Sequence, residues 1–172
     1  MLDKSTVNVS LTYGLLGGVV SFIYGLAIYF LYGQNPYSEQ TEFSGTLIFV
    51  PAFVFLGVKY FKNYIDTELS FKKAFTVAIL IVLILACSLA LLQLIFTLAF
   101  GGELVSQFAN EARGELFQSK TELVKSIGKE NYEMMVEEVG NRSALSLSLK
   151  QVTLRFLVGF FISIVSAVFF RK

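Results

Sequence analysis

Residues 74–100 read AFTVAILIVLILACSLALLQLIFTLAF, and no charged residue lies between Lys73 and Glu103. A helix rises about 1.5 Å per residue, so this stretch is long enough to cross a hydrocarbon core of roughly 30 Å. A helix apolar on every side belongs in a membrane or a large core, not on a soluble surface. Toward the N-terminus, a second uncharged run lies between Lys4 and Glu39 and centres on 11–33, LTYGLLGGVVSFIYGLAIYFLYG. Two shorter runs complete the set, 43–61 (FSGTLIFVPAFVFLGVKYF) and 152–170 (VTLRFLVGFFISIVSAVFF). Each meets a basic residue near one end, Lys59 and Arg155, and both side chains are expected to snorkel to the head groups. The first run is about twice the length of a signal-peptide core and is read as a retained span.

The whole chain has 172 residues, 55% hydrophobic and only 16% charged. An ordinary soluble domain carries about a quarter charged residues. The expected fold is therefore all-α: an integral membrane four-helix bundle forming a single membrane domain over residues 1–172. Segment 103–150 is expected to lie outside the membrane with one or two amphipathic helices. Leu104, Phe108, Ala112 and Leu116, then Leu123 and Ile127, recur at helical spacing. Asn131 is the expected N-cap of a second short helix and Gly140 its exit. Leu145, Leu149, Val152 and Phe156 step by four, three and four, which starts the last helix near Ser143.

Charge placement orients the chain. The loop after the first span holds Glu39 and Glu42 and no basic residue. The next loop carries Lys59, Lys62, Lys72 and Lys73, and the chain ends with Arg171 and Lys172. Basic residues near span ends stay in the cytoplasm, so both termini are expected inside. The aromatics Tyr29, Phe30, Tyr32 and Tyr37, and Tyr60, Phe61 and Tyr64, are expected at the two head-group levels.

Small residues permit close approach of helices in lipid. Gly14, Gly18, Ser21 and Gly25 share one face of the first span, and Gly159, Ser163 and Ala167 one face of the fourth. These faces suit packing within the bundle or a seam between copies. Pro51 is expected to kink the second span, and Gln93 to act as a polar tie in the third.

Chemistry is expected to be sparse. There is no histidine and a single cysteine, Cys87. Every Asp, Glu, Lys and Arg maps to a loop or a span end, so the interior is expected to hold no ionisable group. No catalytic residue, cofactor site or metal site is assigned, and nucleic acid is not an expected partner. The expected partners are the lipid bilayer and either a second copy or another membrane protein. The leading expectation is a non-enzymatic interaction or structural component. The alternative is a small oligomeric transporter or pore with Pro51 and Gln93 in its path.

Three stretches carry a family resemblance: YGLLGGVVSFIYGLAIYFL at 13–31, FLGVKYFKNYIDTELSFKKAFTVAIL at 55–80 and LVGFFISIVSAVFFRK at 157–172. Together they resemble the domain of unknown function 4199 (DUF4199) family of four-span bacterial membrane proteins. The resemblance implies a multi-pass bacterial inner-membrane protein with an outer helical segment between spans three and four. It implies no activity and no catalytic residues.

Overall fold

Each of the four apolar runs forms a helix longer than itself, because flanking polar residues cap and extend it. The computed structural model describes residues 3–171, so Lys172 lies outside the described residues. Helix α1 spans Lys4–Tyr32, with the Asp3 carboxylate accepting from the Thr6 N–H and Gly33 closing the other end in the left-handed region. Helix α2 spans Glu39–Tyr64 from a Ser38 cap, with Pro51 inside it. Helix α3 spans Phe71–Phe100 from a Ser70 cap. Three shorter helices follow: α4 (Gly102–Gln118), α5 (Lys120–Ile127) and α6 (Lys129–Gly140). Helix α7 spans Ala144–Phe170 from a Ser143–Ser146 capping box. The described residues are all-helical and hold no strand.

The periodic segment 103–127 is divided at Ser119 into α4 and α5. The second short helix starts two residues earlier than its sequence suggests. Gly128 precedes it at φ 86°, and the Asn131 amide donates back to the Ile127 carbonyl at 2.6 Å rather than capping α6. Only a glycine adopts that positive φ cheaply, so the chain turns there.

Four helices, α1, α2, α3 and α7, are long and apolar enough to cross a membrane. They pack as a ring in the order α1–α3–α7–α2, and α2 and α3 also meet across it. Gly14 lies against Ile84 and Gly18 against Ser88, so α1 and α3 run parallel. Glu42 pairs with Arg155 and Phe55 meets Phe170, so α2 and α7 also run parallel. A β-carbon on Gly159 would come within 2.2 Å of Val82, so α7 touches α3 there only because the side chain is a hydrogen. The glycines Gly14, Gly18 and Gly25 of α1 and Gly159 of α7 thus face α3. Cys87 is exposed on the outward surface.

The middle of the stack and the end bearing both termini are filled by Val50, Val54, Val58, Phe61, Val77, Ile81, Val82, Leu85 and Ala167. Phe61 is fully buried here rather than at a head-group level. Lys73 ties this end together. Its ammonium lies 3.1 Å from Asp3 and 3.2 Å from Asp66, and 5.4 Å from the Phe61 ring centroid. Lys59 and Arg171 are exposed nearby in sequence, as is Lys72, while Lys62 is half-buried.

Candidate functional site

The opposite end is built differently. Here α1 ends, α2 begins, α3 ends and α7 descends from above. The connecting loop 33–38 is drawn into the stack by side-chain hydrogen bonds. Asn35 donates to the Leu104 carbonyl at 2.8 Å and accepts from the Tyr37 N–H at 2.9 Å. The Tyr37 hydroxyl shares a 2.8 Å bond with Thr97 and a longer one with Ser148. Gln151 donates to the Pro36 carbonyl at 3.5 Å. Tyr37 is therefore no belt residue. It is buried, and Phe108 of α4 and Leu147 of α7 pack in the same cluster.

Beside this clamp runs a line of charges between α2 and α7. Side-chain exposure falls along it, from 83% at Glu39 and 36% at Lys150 to 2% at Glu42 and 5% at Arg155. The Lys150 ammonium is 3.5 Å from a Glu39 oxygen and 3.9 Å from Glu42 Oε2. The Arg155 guanidinium is 3.8 Å from Glu42 Oε1 and donates to the Gln151 carbonyl at 3.2 Å. Glu42 Oε1 and Gln151 Oε1 are buried without a hydrogen-bond partner. Ions withdrawn this far from water cost several kcal/mol each, by rough estimate, unless paired and hydrogen-bonded.

This cluster corrects the expectation of an interior without ionisable groups, and the expectation that Arg155 snorkels outward. Arg155 does sit near the end of the apolar run, as its position implies, but its side chain turns inward to Glu42. A sequence signal was present. The face holding Gly159, Ser163 and Ala167 continues backward through Arg155 and Gln151 at steps of four. On α2, Glu42 heads the buried row Thr46, Val50, Val54 and Val58, also at steps of four. A charge on the buried stripe of a helix finds its partner inside.

Of the other singled-out residues, Ser21 is buried with an unpartnered hydroxyl, and Ser163 bonds back to the Gly159 carbonyl. Gln93 is buried near Gly25 and does not join the charged line. Pro51 is also remote from it in sequence, about three turns into α2. Among the described residues, no group of three or more His, Cys, Asp or Glu side chains could hold a metal ion.

Four long apolar helices with an outward apolar surface and a buried polar end define a multi-pass membrane protein. The chain belongs to the family described as Protein of unknown function (DUF4199), whose model matches residues 12–172. No curated protein and no solved structure matches the chain.

Proposed function

We propose that the chain is a non-enzymatic component of the bacterial inner membrane, a four-helix bundle with both termini cytoplasmic, that presents α4–α6 outside as an interaction surface. The observation that carries this reading is how the polar groups are divided. Glu42, Thr46, Gln93, Thr97, Ser148, Gln151 and Arg155 of the long helices are buried in the stack, whereas α4–α6 turn charge and large apolar side chains outward. Phe117 and Met134 are largely exposed, and only Tyr132 is buried on α6. Between 102 and 140 there are eight glutamates against four basic residues. Such a surface is repelled by anionic head groups and favours a protein partner over the bilayer surface. Lys59, Lys62, Lys72, Lys73 and Arg171 at the other end agree with the cytoplasmic assignment.

Cross-linking in native membranes followed by mass spectrometry tests the reading. Cross-links from α4–α6 to a second copy or another membrane protein are expected. Recovery of isolated monomers alone would count against it.

The buried Glu42 and Arg155 favour a second reading, a small oligomeric transporter, because intramembrane charges commonly mark ion or substrate paths. Against a path through one copy stands the apolar packing of Val50, Val54, Val58 and Ile81 below them. Flux into proteoliposomes that persists unchanged in Glu42→Gln, Gln93→Leu and Pro51→Ala would remove these residues from any path.

A further inference from the structure

A groove of about 450 Å³ opens between the first turns of α2 and the upper part of α7, lined by Glu39, Gln40, Glu42, Phe43, Lys150 and Leu154. We propose that it binds the headgroup of an aminophospholipid, the ammonium on Glu42 and Glu39 and the phosphate on Lys150. The proposal rests on the reading that the four helices cross a bilayer.

Three observations select this ligand. The first is the unmet acceptor. Glu42 is 2% exposed, its Oε1 has no hydrogen-bond partner, and both neighbouring cations stand at 3.8–3.9 Å, beyond hydrogen-bond reach. A buried acceptor left in this state is costly, and an entering N–H donor relieves it. A primary ammonium brings three donors; a quaternary one brings none. The second is charge balance. Glu39, Glu42, Lys150 and Arg155 sum to zero, so a zwitterion enters without leaving a surplus charge, whereas an anionic headgroup adds one. The third is the surroundings. Phe43 and Leu157 expose apolar faces beside and below the groove, where acyl chains of a bilayer lipid run. Lys150 holds Glu39 and Glu42 only loosely and keeps a third of its side chain exposed. It is free to turn to the phosphate as the lipid ammonium takes its place at Glu42.

The full chain is reconstituted in nanodiscs holding equal parts phosphatidylethanolamine, phosphatidylcholine and phosphatidylglycerol with matched acyl chains. Retained lipid is then counted by native mass spectrometry. Wild type is expected to keep the ethanolamine lipid about tenfold over the other two, a ratio corresponding to one charge-assisted hydrogen bond. Glu42→Gln is expected to remove most of that preference. Glu39→Gln, at an exposed position outside the packed interior, is expected to reduce it about threefold and keeps the test decisive if the Glu42 variant misfolds. Equal retention of the three lipids by wild type, or an unchanged preference in folded Glu39→Gln and Glu42→Gln, overturns the site. A chain that fails to enter nanodiscs overturns the membrane reading instead.

Discussion

At the end bearing the termini, the long helices meet through buried Val, Ile, Leu and Phe side chains, and one half-buried lysine bridges two aspartates. At the other end they meet through Asn35, Tyr37, Thr97, Ser148, Gln151, Glu42 and Arg155. The first kind of contact tolerates small shifts, because dispersion depends weakly on direction. The second does not, because a buried polar group that loses its partner keeps its desolvation cost. The difference assigns tasks to the two ends. The apolar end holds the helices together, and the polar end sets how loop 33–38, α4 and α7 sit on top of them.

The contrast breaks most sharply at the ion pair. Arg155→Met strands Glu42 in the interior and is expected to lower stability by about 3–5 kcal/mol. The double variant Glu42→Leu with Arg155→Met is expected to recover most of that loss. Unfolding in detergent followed by circular dichroism measures both, and a double variant as unstable as the single one contradicts the pairing.

At the α3–α7 contact the sensitive quantity is volume. Gly159→Ala drives a methyl group against Val82, including its β-carbon, which cannot swing aside as a flexible chain end would. Overpacking of this kind costs roughly 1–3 kcal/mol. The same assay should show a matching loss, partly restored by Val82→Ala.

Tyr37→Phe removes a single hydroxyl from the clamp. The lost bond to Thr97 is expected to cost about 1 kcal/mol. Faster amide exchange is expected in loop 33–38 and in the first turn of α4, with little change around Val54 and Ile81. Exchange that rises equally at both ends would show that the two ends are not separable.

The smallest effect is expected at Asp3. The Thr6 N–H, then the Thr6 hydroxyl and Lys73, hold its carboxyl at about 2, below its ordinary 3.8. A depressed folded value means that the contribution is complete above about pH 4 and is lost as pH falls toward 2. Asp3→Asn should therefore cost a little stability at neutral pH in the same unfolding assay, and the gap to wild type should close as pH falls from about 4 toward 2.

Much of this protein was legible from residues alone. The uncharged runs locate the four long helices, since nothing else in a chain accommodates so many consecutive apolar side chains. The start of α7 near Ser143 followed from apolar spacing that continues above the membrane-length run. Glu42 and Arg155 were harder. By chain position each lies at the edge of an apolar run, where a charge ordinarily turns outward to water or head groups. Their helical faces pointed inward, but position and face gave opposite answers, and only packing decides between them. Tyr37 misled for a related reason. A tyrosine near a span end suits the head-group level, and nothing local reveals that loop 33–38 folds back between α3 and α7.

The sequence by itself determined how many long apolar helices exist, roughly where each begins and ends, and that their surface avoids water. These follow from composition and period along one chain. The tertiary structure decided which helices touch, that the glycines of α1 and α7 are taken up by α3, and that two opposite charges far apart in the chain, Glu42 and Arg155, are neighbours. The reason is physical: the cost of burying a charge depends on what stands within a few ångströms of it, and that neighbour comes from a distant part of the chain.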